Sequence, residues 1–319
     1  AAHAVGAETT YIYIRGEFTE PIQRMEQALA EARAAGIIGG NAMGSGKKLD
    51  IWVHKGAGAY ICGEETALMN SIEGKRGNPC IKPPFPAVAG LFGMPTTVNN
   101  VETLAAVPHI LNNGAEWYKA MSLSSHKSTG SKLFSVCGNV AKPGNYEVVM
   151  GFSFKDFLYD LCGGPLPGRK FKAIIPGGSS VPVINMEEAE QVKMDYEGFL
   201  EFGTMLGSGG VIVFDDAQSM PRQLARLARF YAHESCGQCT QCREGTAWMT
   251  KILERIVAGQ GTYEDLDTIF ELSENMTGTT ICVLSDSCGA PVVSGIKKFR
   301  HEFEALIKGK RSSTVAVTA

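Results

Sequence analysis

Cys236, Cys239 and Cys242 stand three apart in the stretch ESCGQCTQCREGT. Thiolates at that spacing can all reach one metal centre, and three of them want a fourth ligand. Cys282, in TTICVLSD, and Cys288, in DSCGAP, are the candidates downstream, both expected in the loop between the last two helices. Cys282 is preferred, because it follows a helix end marked by Gly278 and has an apolar flank of Ile281, Val283 and Leu284 to shield a cluster. Structural zinc more often uses two separated C-x2-C pairs. Three close cysteines plus a remote one is the iron–sulfur habit. A redox dithiol would leave Cys242 unexplained. The scattered cysteines, Cys62, Cys80, Cys137 and Cys162, read as small buried apolar residues, and His233 as a packing or capping residue.

A second constellation begins at HKGAGAYICGEETALM, where Gly56, Gly58 and Gly63 lie before and at a helix start that carries Glu64 and Glu65. Glycines there let backbone N–H groups approach a phosphate or a flat ring, with the helix N-terminus behind them. Glycine turns are common, and acidic residues in a first turn also complement the helix dipole. The neighbourhood tips the balance. KPPFP offers Phe85 on a stiff loop for stacking, and TTVNNVET offers the amides of Asn99 and Asn100 to a heterocycle edge. Together these residues describe a site for a planar cofactor.

Positioning such groups takes several domains, and 319 residues with 44% apolar content suffice for two or three. A net charge of −3 implies no nucleic-acid partner. No apolar run reaches the roughly 18 residues of a spanning helix. An odd number of cysteines at ligand spacing suits a reducing compartment. Residues 1–118 read as α/β, with a strand at Tyr11–Arg15, a helix at Ile22–Ala35 ended by Gly36, and a strand in LDIWVHKG. Asn99 or Asn100 is available to cap the helix in NVETLAAVPHILNNG. The opening residues resemble the end of a helix, so further chain is expected ahead of Ala1. Residues 119–130 look like a linker, 131–215 an α+β module with a β-grasp look, and 216–309 an antiparallel four-helix bundle with helices near Pro221–His233, Glu244–Val257, Tyr263–Met276 and Pro291–Ile307. A flexible tail is expected over 310–319.

Four stretches, GAGAYICGEETALMNSIEGKRG, KPPFPAVAGLFGMPTTVNNVETL, MLGSGGVIVFDD and FYAHESCGQCTQCREGT with its downstream TICVLSD, resemble the NADH-binding, 51-kDa-type flavoprotein subunit of respiratory complex I. That superfamily is shared with diaphorase subunits of NAD-reducing hydrogenases and NAD-dependent formate dehydrogenases. The resemblance implies a Rossmann-like FMN/NADH domain, a ubiquitin-like β-grasp domain of the soluble-ligand-binding type and a helical domain with a 4Fe–4S cluster. By resemblance, Tyr60, Gly63, Glu64 and Glu65 belong to the FMN/NADH pocket. Phe85 helps bind NADH, Asn99 and Asn100 contact the flavin, and Ser208 lies near the nucleotide. Cys236, Cys239, Cys242 and Cys282 match the cluster ligands. The family's first glycine-rich FMN loop falls ahead of residue 1, and SDSCGA departs from the usual sequence after the fourth cysteine.

The expected reaction is hydride transfer from NADH to FMN, followed by single electrons to the cluster and onward. No side chain need act as acid or nucleophile. The expected partners are a thioredoxin-like 2Fe–2S subunit of the 24-kDa type and a large iron–sulfur subunit of the 75-kDa type, with quinone reduced indirectly. The expected place is a peripheral arm on the cytoplasmic side of the inner membrane, or the matrix side in a mitochondrion. The alternatives are a diaphorase subunit of a soluble hydrogenase or formate dehydrogenase, and a zinc-stabilised scaffold without catalysis.

Overall fold

The computed structural model describes residues 1–307. The expected flexible tail lies outside them. The chain divides into two units, Ala1–Val107 and Pro108–Ala319.

The first unit opens with β1, Thr9–Ile14, which is richer in β-branched and aromatic residues than its surroundings. α1, Thr19–Ala34, follows, and Gly36 at φ +71° ends it in the left-handed conformation that glycine adopts most cheaply. β2, Asp50–Lys55, pairs parallel with β1, so that Thr9 faces Asp50 and Ile14 faces Lys55. Ile22 and Leu29, two turns apart, form the buried stripe of α1, and Leu29 packs with Ile38, Ala42 and Leu49. A single turn of 3-10 helix over Tyr60–Gly63 leads into α2, Glu65–Ile72. The loop beyond it contains one more such turn, Leu91–Gly93. α3, Val101–Asn113, begins beneath Asn100, whose side-chain oxygen accepts the Glu102 N–H at 2.8 Å. Of the two asparagines expected as caps, Asn100 takes the role.

The second unit begins with α4, Ala115–Ala120, which runs into the expected linker of 119–130; beyond α4 that stretch holds no helix or strand, yet it is bonded down through Ser122, Ser124, His126 and Ser128. Its serines find fixed partners, which a composition-based reading could not foresee. β3 (Ser131–Gly138), β4 (Gly144–Val149), β5 (Phe152–Ser153), α5 (Phe154–Asp156) and a π turn (Phe157–Leu161) come next. Then follow β6 (Phe171–Ile175), β7 (Ile184–Asn185), α6 (Met186–Ala189), β8 (Lys193–Met194), α7 (Tyr196–Leu200) and β9 (Gly210–Asp215). Five strands form one sheet in the order β4-β3-β9-β6-β7, and only β3 and β9 run parallel. Phe134, Phe154, Phe157, Ile174 and Val213 fill its core.

Four long helices complete the unit: α8 (Met220–Glu234), α9 (Thr240–Val257), α10 (Tyr263–Met276) and α11 (Leu284–Lys298), with a short α12 (Arg300–Glu304). Each of the four packs against its chain neighbour, and α11 returns to α8. Met249, Leu253 and Ile256 recur at helical spacing along the buried side of α9. A fully buried Leu or Ile contributes about 1.5–3 kcal/mol over an exposed one. Gly245 and Gly295 allow the close approaches. A Cβ on Gly245 would lie 2.3 Å from the Met276 sulfur, and one on Gly295 would lie 2.3 Å from Leu224 Cδ1. The helices also hold the sheet: Ser179 and Tyr231 share a hydroxyl bond of 2.9 Å, and the Ser294 hydroxyl accepts the Val183 N–H at 2.8 Å.

Two helix starts differ from expectation. α9 begins at Thr240, so Cys242 lies inside its first turn. α11 begins at Leu284 and carries Pro291 within it, so Cys288 is a helix residue and not a loop residue. Proline reads as a helix start in sequence, but here the packed face carries the helix through it.

Candidate functional site

Where α8 ends, the Ser235 N–H donates to the Tyr231 carbonyl at 3.0 Å and the chain turns sharply through Gly237 at φ +78°. Cys236 and Cys239 flank that glycine, and Cys242 follows, buried, one turn into α9. Arg243 fastens the turn by donating from Nη1 to the Gly237 carbonyl at 2.6 Å. The remote partner comes from the α10–α11 connection, where Ile281 donates its N–H to the Cys239 sulfur at 3.4 Å. Cys282 is the next residue. Its loop is fastened by the Gly278 N–H on Asp286 Oδ1 at 3.0 Å, and by Thr280, which donates to the Cys282 carbonyl and meets the buried Ser285 hydroxyl, each at 2.7 Å.

The Cys242 thiol senses the whole set. Burial pushes its pKa up, the Ser235 hydroxyl at 3.3 Å pulls it down, and Cys282, Cys236 and Cys239 add to the upward push. Cys288 is elsewhere. It is fully buried, its sulfur is 3.7 Å from that of Met249, and burial drives its pKa to about 12. Metal ligation needs the thiolate, so that environment suits an inert packing cysteine.

The sulfur spacing tests which group fits. Zinc bonds of about 2.3 Å in a tetrahedron put sulfurs about 3.8 Å apart. Among the described residues, no three of these sulfurs lie within 4.8 Å of one another. Three cysteines on one turn with a fourth on a loop bonded to that turn are the donor set that a four-iron cubane takes.

The glycine-rich turn lies in the first unit. Gly56 bonds β1 through its N–H to the Ile14 carbonyl at 2.8 Å, and a Cβ there would strike the Tyr13 ring and hydroxyl, the nearest atom at 2.6 Å. Gly58 sits at φ +86° with the Glu17 carboxylate beside it. Gly63 is exposed, and a Cβ there would meet nothing within 4 Å, so backbone is open to an approaching group. Tyr60 is half-buried one turn earlier. Glu64 caps α2. Its Oε2 accepts the Thr66 and Ala67 N–H groups, each at 2.9 Å, so these helix-start donors are already used and a phosphate would need other N–H groups. Glu64 Oε1 lies 3.5 Å from the Lys82 ammonium, and Lys82 also pairs with Glu65. The hydrogen bond to Glu65 is the largest influence raising the Lys82 pKa. Lys82 thereby ties the loop that bears the exposed Phe85 to the start of α2. Asn99 and Asn100 are exposed at the head of α3. An open backbone turn, an exposed ring and a charged rim fit a flat, charged cofactor.

Ser208 lies in the second unit, in the turn before β9. Its hydroxyl donates to the Gly177 carbonyl at 3.3 Å and accepts the Gly210 N–H at 3.4 Å. Lys82 went unnoticed in the sequence, although a cation three residues before Phe85 was a usable signal, and so did Ser235, the hydroxyl next to Cys236. His126, Asp195 and Glu197, whose ligand atoms meet within 4.8 Å, were missed as well. No local pattern could have joined those three. Cys62 and Cys162 are buried as expected, whereas Cys80 and Cys137 are exposed. His233 is exposed in the last turn of α8.

Three family models match in order along the chain: the Nuo51 FMN-binding domain over 1–109, the SLBB domain over 132–213, and the NADH-ubiquinone oxidoreductase-F iron-sulfur binding region over 222–306. Over 311 residues the chain is 50% identical to the second F subunit of the NADH-quinone oxidoreductase of Rhizobium meliloti, covering 98% of this chain and 73% of that one. It is 48% identical to the corresponding F subunit of Rickettsia bellii, covering 97% and 74%, and 47% identical to that of Mycobacterium bovis, covering 97% and 68%. Among solved structures, NAD+-reducing [NiFe]-hydrogenase in the H2-reduced state superposes with a TM-score of 0.86 at 36% identity, covering 97% of this chain. The chain spans about half, 51%, of that hydrogenase chain.

Proposed function

The chain belongs to the family of NADH-quinone oxidoreductase F subunits, and on that premise we propose that it is the electron-input subunit of an NADH:quinone oxidoreductase. Its cofactors are FMN, NADH and a 4Fe–4S cluster. When bound, flavin and cluster supply the exchange of one hydride for two single electrons and the relay that carries them away. The protein contributes binding, orientation and charge. Cys236, Cys239, Cys242 and Cys282 hold the cluster. Gly56, Gly58, Tyr60 and Gly63 form the backbone edge of the flavin site, with Asn99 and Asn100 as amide contacts. Phe85 offers a stacking face to NADH. Glu64 holds the α2 start rigid, and Glu65 with Lys82 faces the nucleotide's ribose. Two carboxylates against one ammonium leave one net negative charge there, which disfavours a 2′-phosphate.

The supporting architecture is a Rossmann-like domain over 1–118, a linker over 119–130, a β-grasp domain over 131–215 and a four-helix iron–sulfur domain over 216–309. The parallel β1–β2 pair, the adjacent parallel β3 and β9, and the short links between α8, α9, α10 and α11 favour that assignment. The partners are the 24-kDa-type and 75-kDa-type iron–sulfur subunits, in a peripheral arm at the cytoplasmic or matrix face. Among the described residues no helix is long and apolar enough to cross a membrane. The diaphorase alternative rests on 36% identity, against 50% for the Rhizobium meliloti relative.

The observation that carries the reading is the bond from the Ile281 N–H to the Cys239 sulfur, which brings the loop of Cys282 to the turn of the other three cysteines. Metal and flavin analysis of the purified full-length subunit tests it. Iron in four equivalents, FMN and NADH-driven ferricyanide reduction are expected. Zinc in place of iron, or a flavin-free protein inert to NADH, would overturn it.

A further inference from the structure

Cys239 and Cys242 each meet a hydrogen-bonding group from outside the set of four sulfurs. Cys239 takes the Ile281 N–H at 3.4 Å, and Cys242 has the Ser235 hydroxyl at 3.3 Å. The first donor is a backbone group, which no substitution short of proline removes. The second is a side chain one residue ahead of Cys236, with its orientation set from both sides. Its main chain is fixed by the bond to the Tyr231 carbonyl, and its oxygen accepts the Gly237 N–H at 3.3 Å. An oxygen that accepts from Gly237 keeps its own hydrogen free, and the sulfur of Cys242 is the acceptor it faces.

We propose that Ser235 is a positioning residue that sets the reduction potential of the cluster, by donating its hydroxyl hydrogen to the Cys242 thiolate. This rests on the cluster assignment above. A hydrogen bond to a ligating sulfur is worth more when the cluster carries one more electron, so it favours the reduced form. Cys242 is 7% exposed, and the low local dielectric enlarges that difference beyond what a solvated bond would give. The step is the addition of one electron, one of the pair that the hydride donor of the proposed function would supply by way of the flavin. No proton leaves Ser235. Removing the hydroxyl therefore lowers the potential and makes the cluster a poorer acceptor.

The structural alternative is that Ser235 only shapes the turn, through the Gly237 N–H bond. Threonine and valine separate the two, because they match in shape and differ in the hydroxyl. In the assembled complex or full-length subunit, Ser235→Ala should keep its iron, and an EPR-monitored redox titration should give a midpoint shifted negative. The ratio of reduced to oxidised cluster at the wild-type midpoint should fall about threefold, a shift of about 30 mV for a one-electron couple at 59 mV per tenfold. Ser235→Thr should stay near wild type, and Ser235→Val should shift with alanine. An unchanged midpoint in the alanine variant with full iron overturns the proposal. So does a shift that threonine shares, or loss of iron from both the alanine and valine variants, since the hydroxyl would then be holding the turn. Absence of the cluster signal from the wild-type protein would instead overturn the cluster assignment.

Discussion

Cys282 and Cys288 are six positions apart, yet the fold sends them to different places. Cys282 stands in the loop beside the bond from Ile281 to Cys239, and Cys288 is sealed in α11 against Met249. On the proposed ligand set the first holds the cluster, while the second fills the core between helices.

Cys282→Ala should therefore remove the cluster's EPR signal and lower bound iron, while Cys288→Ala should keep both. The Cys288 change trims only a small buried side chain, so its cost is stability, on the order of 1 kcal/mol. Iron analysis and thermal unfolding of the two variants check this. Iron lost from the Cys288 variant and kept in the Cys282 variant would reverse the assignment.

Glu65→Gln should erode the preference for NADH over NADPH. The change removes one carboxylate from the rim and leaves Lys82 with Glu64 alone, 3.5 Å away, so the ammonium is freer to meet a 2′-phosphate. A loss of about tenfold in the ratio of kcat/KM values corresponds to about 1.4 kcal/mol. Steady-state kinetics with both nucleotides measure it, and an unaltered ratio would show that Glu65 does not face the ribose.

The strap ahead of β3 should loosen as pH rises. His126 Nδ1 is 3.2 Å from Asp195, its Nε2 is 3.6 Å from Glu201, Glu197 is close by, and Ser124 bonds the same Asp195. The hydrogen bond to Asp195 is the main cause of a raised His126 pKa in the folded chain. The linked stability is complete below the unfolded value of about 6.5 and is lost as pH climbs through the higher folded value. The stability gap between wild type and His126→Gln should thus be widest near about pH 6 and shrink toward about pH 9. Thermal unfolding across that range gives the answer, and a gap independent of pH would count against a charged His126.

Thr262→Ala should cost about 1 kcal/mol, the usual effect of losing an N-cap. Thr262 accepts the Asp265 N–H at 3.3 Å and Asp265 answers by accepting the Thr262 N–H at 2.9 Å. Asp265→Ala should cost more, because Arg255 also loses its carboxylate partner. Urea unfolding followed by helical circular dichroism ranks the two, and equal losses would mean that the Arg255 pair contributes nothing.

Much was legible before folding. Cys236, Cys239 and Cys242 could be read as ligands because a turn of chain brings such neighbours together whatever surrounds them. The glycines at Gly56, Gly58 and Gly63, and the helical periodicity of the last hundred residues, are local in the same way. The element order and the family resemblance followed from patterns of this range. What local spacing could not reach were the distant meetings. Pro291 read as the start of a helix until packing carried α11 through it, and that put Cys288 in the core. Within the stretch 119–130 that reads as a linker, Ser124 and His126 are bonded by Asp195, some seventy positions on. The pairing of Lys82 with the α2 start and the approach of Ser235 to Cys242 were likewise settled in three dimensions. The chain itself determined which groups are present and which near neighbours share a turn, since backbone geometry sets those distances. Only the tertiary structure decided which remote groups converge and which become buried, because that depends on how whole faces pack.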